Sequence, residues 1–533
     1  MRKNLIGLFA AVLLVVGGVQ AHENTIEVLP KPEKITKFQD EIVLSGETAV
    51  YLDPKAGLNQ EYVTEVLTEA GFQPVYVTKA KKAAIVFQLN DVPSLGNDEA
   101  YGLYVKAPGN RREQIVAKAD TRFGLLYALQ TLRQLTSVDS KGVTVPACII
   151  SDKPAFPWRA YMQDESRHFQ GAETVKKLLD EMARLKMNTF HWHLVDDQGW
   201  RIEIKKYPLL TEVGSKRDFD HMDLTPQQWD SLFPYRTYYT QDEIREIVQY
   251  ADDRGIKVVP EIEVPGHASA SIVAYPWIGS TSRREGKPVH GDLYDVTDPK
   301  VIEFLHDILD EVVELFPSKI VHIGGDEANY THWQNSPEIV AFMKENNLPT
   351  CSDLQVWAIN RMSKYLASKG CRMIGWNEIT GDNVRGEAHV QASQSEKLAP
   401  GTIVQFWDGD ISLVNKAIEK GYDVVNSNRF FTYLDYPYEV TPLEKAYSFN
   451  PIPDGLAEED KVKILGTGCQ MWGEFTPNLD RLYYQVFPRI AAYAECGWTP
   501  ADKRYYEDFR KRFRKIENIW KEKGYLKTQL DKY

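Results

Sequence analysis

A regular alternation of strand and helix signals constrains the fold of this chain more than any other feature. From about residue 152 onward, apolar runs of strand length alternate with amphipathic helical patterns. Strand candidates occur at 159–165, 188–195, 257–264, 319–325, 371–377, 402–407, 422–427 and 464–472. Eight alternating units over about 350 residues predict an α/β fold, a (β/α)8 TIM barrel. A doubly wound open sheet is the alternative, but no glycine-rich phosphate loop follows the first strand.

Helix boundary signals support this alternation. Thr240 with Glu243 predicts a capping box at the start of one helix. Ser352 with Gln355 predicts the start of another, which would stop at Gly370.

The region before the barrel has a different pattern. Residues 22–150 combine short strand signals with two helical patterns, at 59–70 and 121–135, and they carry no chemical motif. The strand signals lie at 41–53, 73–78, 83–89, 101–107 and 114–118. All 12 tryptophans come after residue 150. We therefore predict a small α/β accessory domain at 22–150 and a barrel domain with C-terminal helices at 151–533.

The first 21 residues have the features of a secretory signal peptide. Arg2 and Lys3 precede an apolar run over 5–19, and small residues, Val19 and Ala21, occupy the −3 and −1 positions of a cleavage site. The apolar run is too short to span a bilayer. The first cysteine is Cys148, so no lipid anchor is expected. The sequence predicts cleavage after Ala21 and a secreted or periplasmic protein.

Charge and cysteine usage exclude several classes. The net charge of −12, without a basic block, argues against nucleic acid or an anionic membrane as a partner. No later segment is long and apolar enough for a membrane span. The five cysteines show no metal-type spacing, and we expect buried thiols.

An acidic pair follows the fourth strand candidate. Gly324 and Gly325 precede Asp326 and Glu327, and the glycines would let a ligand approach the backbone. A bare Asp-Glu pair is more often part of a solvated loop. Its position after a buried strand instead favours a functional site, because barrel enzymes place their chemistry at the C-terminal ends of the strands. Two carboxyls in different surroundings can also have different pKa values.

Other predicted strand ends carry histidines and an arginine. His191 and His193 share one face of the second strand, where hydrogen-bonded core histidines are the simpler interpretation. A zinc site that includes His267, after the third strand, is the alternative. Arg167, after the first strand, could hold substrate oxygens or form a salt bridge with Asp164 or Glu165.

Aromatic side chains complete the predicted barrel mouth. Trp376, Trp407 and Trp472 each end a different strand, and together they could form a cage for the flat face of a sugar ring. Tyr433, Asp435 and Glu474 would add hydrogen-bonding groups to that cage. The combination predicts carbohydrate chemistry.

These motifs resemble those of family 20 glycoside hydrolases, the exo-acting β-N-acetylhexosaminidases. The matching segments are 158–159, 164–169, 191–200, 260–267, 322–327, 375–376, 433–435 and 472–474, and they follow the family's order. Residues 22–150 resemble the family's accessory domain. Ala160 and Gln163 depart from the family's usual first strand, which bears on the packing of the barrel more than on chemistry.

The resemblance implies substrate-assisted hydrolysis, in which the 2-acetamido oxygen of the sugar attacks the anomeric carbon and an oxazolinium intermediate forms. Glu327 would be the general acid and base, Asp326 would orient the acetamido N–H, and Tyr433 would donate to the acetamido oxygen. The implied substrate-binding residues are Arg167, Asp196, His267, Trp376, Trp407, Asp435, Trp472 and Glu474, with Asp196 and His267 in a polar network behind Glu327.

The resemblance implies no cofactor and no metal, and substrates that end in N-acetylglucosamine or N-acetylgalactosamine. Two alternatives remain open. One is a metal-dependent barrel hydrolase that uses His191, His193 and His267. The other is a glycan-binding protein without catalytic activity.

Overall fold

The computed structural model describes residues 26–91, 96–106, 114–284, 287–382 and 397–526, and the side chains of 282–290 are not included. The predicted signal peptide lies outside the described residues. The chain divides into two compact units. The first runs to Pro154 and includes Glu507–Lys515, and the second comprises Ala155–Tyr506 and the residues from Ile516 onward.

The first unit is built on a mixed sheet with helices α1 (Gln60–Glu69) and α2 (Arg122–Leu135) and part of the helix Tyr506–Glu522. Its strands are β1 (Lys34–Leu44), β2 (Glu47–Leu52), β3 (Gln73–Tyr76), β4 (Ile85–Leu89), β5 (Tyr101–Val105), β6 (Ile115–Ala119), β7 (Ser137–Asp139) and β8 (Gly142–Asp152). The strand order is β1-β8-β5-β6-β4-β2-β3, and β7 pairs with β8. The predicted strand at 41–53 is wrong as a single element, because Gly46 adopts a positive φ of 67° and separates β1 from β2.

The second unit contains a closed parallel barrel, as predicted. Its chain adds strands β9 (Trp158–Asp164), β10 (Thr189–His193), β11 (Lys257–Glu261), β12 (Gly279–Arg284), β13 (Lys287–Tyr294), β14 (Ile320–His322), β15 (Arg372–Trp376), β16 (Ile403–Phe406), β17 (Asp423–Asn426) and β18 (Ile464–Met471). All except β12 and β13, which form a separate antiparallel pair, belong to the barrel, and β18 pairs with β9 to close it. Each barrel strand lies within its predicted segment, except that β9 begins one residue earlier.

Helices follow the barrel strands. They are α3 (Ala172–Arg184), α4 (Leu209–Glu212), α5 (Pro226–Leu232), α6 (Gln241–Asp253), α7 (Ser269–Ala274), α8 (Pro299–Leu315), α9 (Thr331–Gln334), α10 (Pro337–Glu345), α11 (Cys351–Ser368), α12 (Ser412–Glu419), α13 (Arg429–Thr432), α14 (Leu443–Ser448), α15 (Leu479–Val486), α16 (Arg489–Trp498) and α17 (Tyr506–Glu522). Short 3₁₀ segments lie at Ala80–Lys82, Pro276–Ile278, Asn377–Thr380, Glu458–Lys463 and Ala501–Lys503.

One of the two predicted helix starts is correct. Thr240 and Glu243 form the predicted capping box at the start of α6. The predicted start at Ser352 is wrong, because Thr350 forms the capping box with Asp353 and α11 begins at Cys351. Gln355 is buried and its amide donates to the Gly325 carbonyl at 2.8 Å, so it supports the loop before the acidic pair instead of capping a helix.

The barrel interior accommodates both departures in the first strand. Ala160 packs in an apolar cluster with Trp158, Val259 and Ile374. The buried Gln163 amide is satisfied, since its oxygen accepts from the Tyr161 hydroxyl and its nitrogen donates to a backbone carbonyl. All five cysteines are buried, and no disulfide links them. Within the described residues, no helix has the length and apolar character needed to cross a membrane.

Candidate active site

The acidic pair lies in the loop directly after β14, at the C-terminal end of the barrel. Asp326 is buried and Glu327 is exposed, so the two neighbouring carboxyls have different environments. Gly324 and Gly325 have φ values of 63° and 93°. A side chain at Gly324 would collide with the Glu263 carboxylate, and one at Gly325 would approach Ile379 to 2.5 Å. The glycines therefore allow close packing around the pair, which is a different reason from the predicted ligand approach.

Backbone conformation singles out two of the predicted site residues. Glu327 has a φ of 45° and His267 a φ of 49°, both in the left-handed region that non-glycine residues rarely adopt. Such conformations persist where the surrounding structure holds them, and they are concentrated at functional sites.

Asp326 is a carboxyl held in a low-dielectric position. Burial raises its pKa to about 7; His267 opposes this increase and Glu327 adds to it. The Oδ1 atom has no hydrogen-bond partner among the residues that the structure describes, and Oδ2 lies 3.9 Å from His267 Nε2. Asp326 can therefore accept a hydrogen bond from a ligand.

Two further buried carboxyls flank Asp326 and were not predicted as site residues. Burial, together with the nearby Asp326, raises the pKa of both Glu263 and Glu378 well above the usual range. Glu378 accepts a hydrogen bond from Trp407 Nε1 at 2.9 Å. Both residues follow barrel strands within two residues, so the strand-end rule used for Asp326 could have identified them.

Arg167 forms one of the salt bridges that the sequence left open and also lies beside the aromatic residues. Its guanidinium contacts Asp164 at 3.0 Å and Asp196 at 2.7 Å, and it lies 5.1 Å from the Trp472 ring centroid. Glu474 is 3.7 Å away. The predicted salt bridge to Asp164 is therefore present, and the group still lies beside the aromatic residues.

Glu165, the other candidate partner of Arg167, is used elsewhere. Its carboxyl accepts hydrogen bonds from the backbone N–H groups of Gln170 and Gly171 and from the Tyr239 hydroxyl. Burial raises the pKa of Glu165 to about 7. This side chain thus holds the start of the loop that leads into α3.

His267 connects the polar network to the acidic pair. Its Nδ1 lies 3.1 Å from Asp196 and 3.3 Å from Asp197, while Nε2 faces Asp326. Burial lowers the pKa of His267, but the two carboxylates outweigh this effect and raise it well above its usual value. A charged imidazolium therefore faces the buried Asp326 carboxyl.

One buried carboxylate below the site is surrounded by His191, His193 and His322. Glu261 lies 2.9 Å from His191, 2.5 Å from His193 and 2.8 Å from His322, and Trp376 Nε1 donates to it at 3.0 Å. The simpler interpretation, hydrogen-bonded core histidines, is thus what the structure shows.

Among the described residues, three groups of side chains come close enough to hold a metal ion. They are His191 with Glu261 and His322, His193 with Glu261 and Glu263, and Asp196 with Asp197 and His267. The ligands of the alternative zinc hypothesis, His191, His193 and His267, belong to three different groups. The geometry therefore does not bring that proposed set together.

The aromatic residues converge as the strand ends predicted. The Trp376 ring lies 5.8 Å from Trp472 and 6.3 Å from Trp407, and Trp407 is nearly parallel to Tyr433 at 6.2 Å. Trp376 is fully buried. Tyr436, which was not predicted, packs against the same cluster. These rings form the aromatic wall, defined here as Trp376, Trp407, Tyr433, Tyr436 and Trp472.

Asp435 and Glu474 supply polar groups beside the aromatic wall. Burial, with the nearby Glu474, raises the pKa of Asp435 to about 7. Burial also raises the pKa of Glu474, although Arg167 opposes it. No described residue hydrogen-bonds to Asp435 Oδ1. A ligand with hydroxyl groups would satisfy these acceptors.

The mouth of the TIM barrel thus carries an exposed and a buried carboxyl, the aromatic wall and the Arg167 guanidinium. Together these groups form the site of a glycoside hydrolase. The catalytic-domain model of glycosyl hydrolase family 20 matches residues 156–501, and the domain 2 model of that family matches residues 25–153. The chain belongs to glycosyl hydrolase family 20.

Individual relatives agree with this membership. The chain is 35% identical to a beta-hexosaminidase of Vibrio furnissii, over 89% of this chain and 76% of that protein. It is 34% identical to a beta-hexosaminidase of Porphyromonas gingivalis, over 93% of this chain and 63% of that protein.

Solved structures are similar as well. The beta-N-acetylhexosaminidase of Bacteroides fragilis superposes with a TM-score of 0.79 at 29% identity, covering 93% of this chain and 96% of the other. The exo beta-N-acetylglucosaminidase of Vibrio harveyi, in complex with N-acetylglucosamine, superposes with a TM-score of 0.80 at 29% identity. The match covers 96% of this chain and 79% of the other.

Proposed function

We propose that this protein is an exo-acting, retaining β-N-acetylhexosaminidase that releases terminal β-linked N-acetylglucosamine or N-acetylgalactosamine through an oxazolinium intermediate. The observation that carries the proposal is the pairing of exposed Glu327 with buried Asp326 beside the aromatic wall. The activities named for the relatives support the same substrate class.

The first chemical step forms a bond within the substrate. The carbonyl oxygen of the 2-acetamido group attacks the anomeric carbon, and the bond from that carbon to the leaving oxygen breaks. Glu327 transfers its proton to the leaving oxygen, which departs as an alcohol. Because the nucleophile already belongs to the bound sugar, the entropy cost of bringing it to the anomeric carbon is small.

The second step returns the enzyme to its starting state. The Glu327 carboxylate accepts a proton from water, and the water oxygen attacks the anomeric carbon of the oxazolinium ion. The ring bond from that carbon to the acetamido oxygen breaks, and the acetamido group is regenerated. Two inversions at one carbon give net retention.

Asp326 and Tyr433 orient the acetamido group in this scheme. Ionised Asp326 accepts a hydrogen bond from the acetamido N–H and stabilises the positive charge that develops on the ring. The Tyr433 hydroxyl donates to the acetamido oxygen. The Tyr433 ring packs against Trp407 and Trp472, which favours a fixed position for its hydroxyl oxygen.

The polar residues around the aromatic wall bind the hydroxyl groups of the sugar. Arg167 is held by Asp164 and Asp196, so its remaining donor capacity points in a fixed direction. Asp435 and Glu474 add acceptors for the sugar hydroxyls. The half-buried Trp472 provides the apolar surface on which a ring face packs, and the fully buried Trp376 packs against Trp472.

A thiazoline analogue of the oxazolinium ion tests substrate assistance directly. We expect competitive inhibition with a Ki at least about 10²-fold below the KM of the matching aryl glycoside, since transition-state and intermediate mimics bind far more tightly than substrates. The measurement is initial-rate inhibition on a chromogenic β-N-acetylglucosaminide. In parallel, activity should survive a strong chelator. Weak inhibition would contradict substrate assistance, and loss of activity with the chelator would favour the metal-dependent alternative.

We also propose that residues 1–21 direct export, giving a secreted or periplasmic enzyme. The support lies in the basic residues, apolar run and small residues of the leader. Expression of the full chain in a bacterial host should yield a mature protein that begins at His22, outside the cytoplasm. Intact mass measurement and cell fractionation check this, and retention of Met1 in cytoplasmic enzyme would contradict it.

A further inference from the structure

A buried arginine fixes the loop that carries two of the proposed substrate-binding residues. Arg489 is the first residue of α16 and is fully buried. Its guanidinium donates to the backbone carbonyls of Leu434, Tyr436 and Thr441, the last two at 2.8 and 3.2 Å. All three carbonyls belong to the loop that follows α13.

Gln485, at the end of α15, completes this contact. Its amide nitrogen donates to the Asp435 carbonyl at 2.7 Å, and its side-chain oxygen accepts from Arg489 at 3.1 Å. The carbonyls of three consecutive residues, 434 to 436, are therefore held by one pair of side chains. Asp435 lies within this segment, and Tyr433 directly precedes it.

The electrostatics fit a positioning role. None of the hydrogen bonds that the structure gives for the guanidinium goes to a carboxylate, and its acceptors are neutral amide oxygens. A planar guanidinium offers five donors in a rigid fork, so it can fix several carbonyl directions at once, whereas an ammonium cannot.

From this geometry we infer that Arg489, together with Gln485, is a positioning residue for the proposed reaction, which sets the spacing between Tyr433 and Asp435. The inference rests on the proposed function. Tyr433 contacts the acetamido group and Asp435 contacts a sugar hydroxyl, so a shift of the loop between them changes both contacts together. A displacement of about 1 Å at a catalytic group can lower the rate on the order of 10²-fold.

The chain contains a matched control. Arg201 is also fully buried, and it donates to the carbonyls of Ser166, Ser215 and Arg217. It thus performs the same kind of backbone binding, but in loops that follow the first two barrel strands. Its replacement by lysine makes the same chemical change away from Tyr433.

The experiment is a double-mutant cycle on kcat/KM for a chromogenic N-acetylglucosaminide. We expect Arg489→Lys and Tyr433→Phe each to lower kcat/KM about 10²-fold, and the double variant to lose less than about 10³-fold, well below the product. Arg201→Lys combined with Tyr433→Phe should give the product of the single effects within about twofold. Circular dichroism and thermal melting report folding of every variant.

If Arg489→Lys does not fold, a second variant tests the same inference. Gln485→Met removes the donor to the Asp435 carbonyl and keeps the guanidinium, and it should also combine with Tyr433→Phe to less than the product. Multiplicative losses for the folded Arg489 or Gln485 variant would overturn the positioning role, while the proposed function stands. If Tyr433→Phe alone keeps wild-type activity, the proposed role of Tyr433 fails, and this inference fails with it.

Discussion

Replacing Glu327 with glutamine should lower kcat for N,N′-diacetylchitobiose by about 10³-fold, within the range for loss of a general acid and base. Glutamine has nearly the same shape but cannot transfer a proton to the leaving oxygen. Since Glu327 is exposed and glutamine has nearly the same volume, the fold should be retained.

The leaving group separates loss of proton transfer from general damage. An aryl glycoside whose phenol departs without protonation should show a much smaller loss in its first step than chitobiose does. Glu345→Gln, at an exposed position at the end of α10, is the control for the chemical change and should behave like wild type. Equal losses on both substrates, or wild-type turnover of chitobiose, would show that Glu327 is not the acid. Retained chitobiose binding without any sugar release by the wild type would identify a glycan-binding protein instead.

Replacing Asp326 with asparagine should lower kcat about 10²- to 10³-fold, because a preorganised charge at the reacting centre is lost. The asparagine side chain keeps the volume but presents no anion to the acetamido N–H. Formation of the oxazolinium ion, the step in which positive charge develops, should be the step that slows. The measurement is single-turnover kinetics on the chromogenic substrate.

The pKa of Asp326 gives this prediction a pH signature. Because burial raises it to about 7, the fraction of ionised Asp326 in the free enzyme falls as the pH decreases through 7. The value of kcat/KM should therefore decrease as the pH is lowered below about 7. In the substrate complex the acetamido N–H stabilises the anion, so the acid limb of kcat should lie at lower pH.

Asp435 provides the matched control for this change. Its carboxyl also has a pKa raised to about 7 by burial. Asp435→Asn should act mainly on KM and keep the acid limb of kcat, whereas Asp326→Asn should remove that limb. An unchanged acid limb in the Asp326 variant would contradict the assigned group.

The barrel and the location of its mouth could be predicted because both follow from local patterns. Each strand is a short apolar run bounded by turn residues, and the parallel arrangement places all C-terminal ends together. The strand at 41–53 was misread because periodicity continues through Gly46, and only the backbone conformation shows the break. The cap at Ser352 was misread because Thr350 and Asp353 supply a competing capping box two residues earlier.

The sequence predicted most of the residues of the site, but it predicted few of the contacts between them. Glu263 and Glu378 follow strands as Asp326 does, but their importance comes from burial, which a sequence does not display. The salt bridge of Arg167 does not exclude substrate binding, since a guanidinium has enough donors to bind Asp164 and Asp196 and to lie beside Trp472. Contacts of this kind depend on loop geometry between strands that are distant in sequence.

The Glu261 network has a consequence for engineering this enzyme toward other N-acyl sugars. One carboxylate joins β10, β11, β14 and β15 through three histidines and Trp376. Enlarging the cavity by truncating Trp376 would leave a buried carboxylate oxygen short of a donor, at a cost of about 1–3 kcal/mol. The same cost applies to Trp407, whose indole donates to the buried Glu378 carboxyl, and Tyr433 is the proposed donor to the acetamido oxygen. A redesign for bulkier acyl groups should therefore leave Trp376, Trp407 and Tyr433 in place.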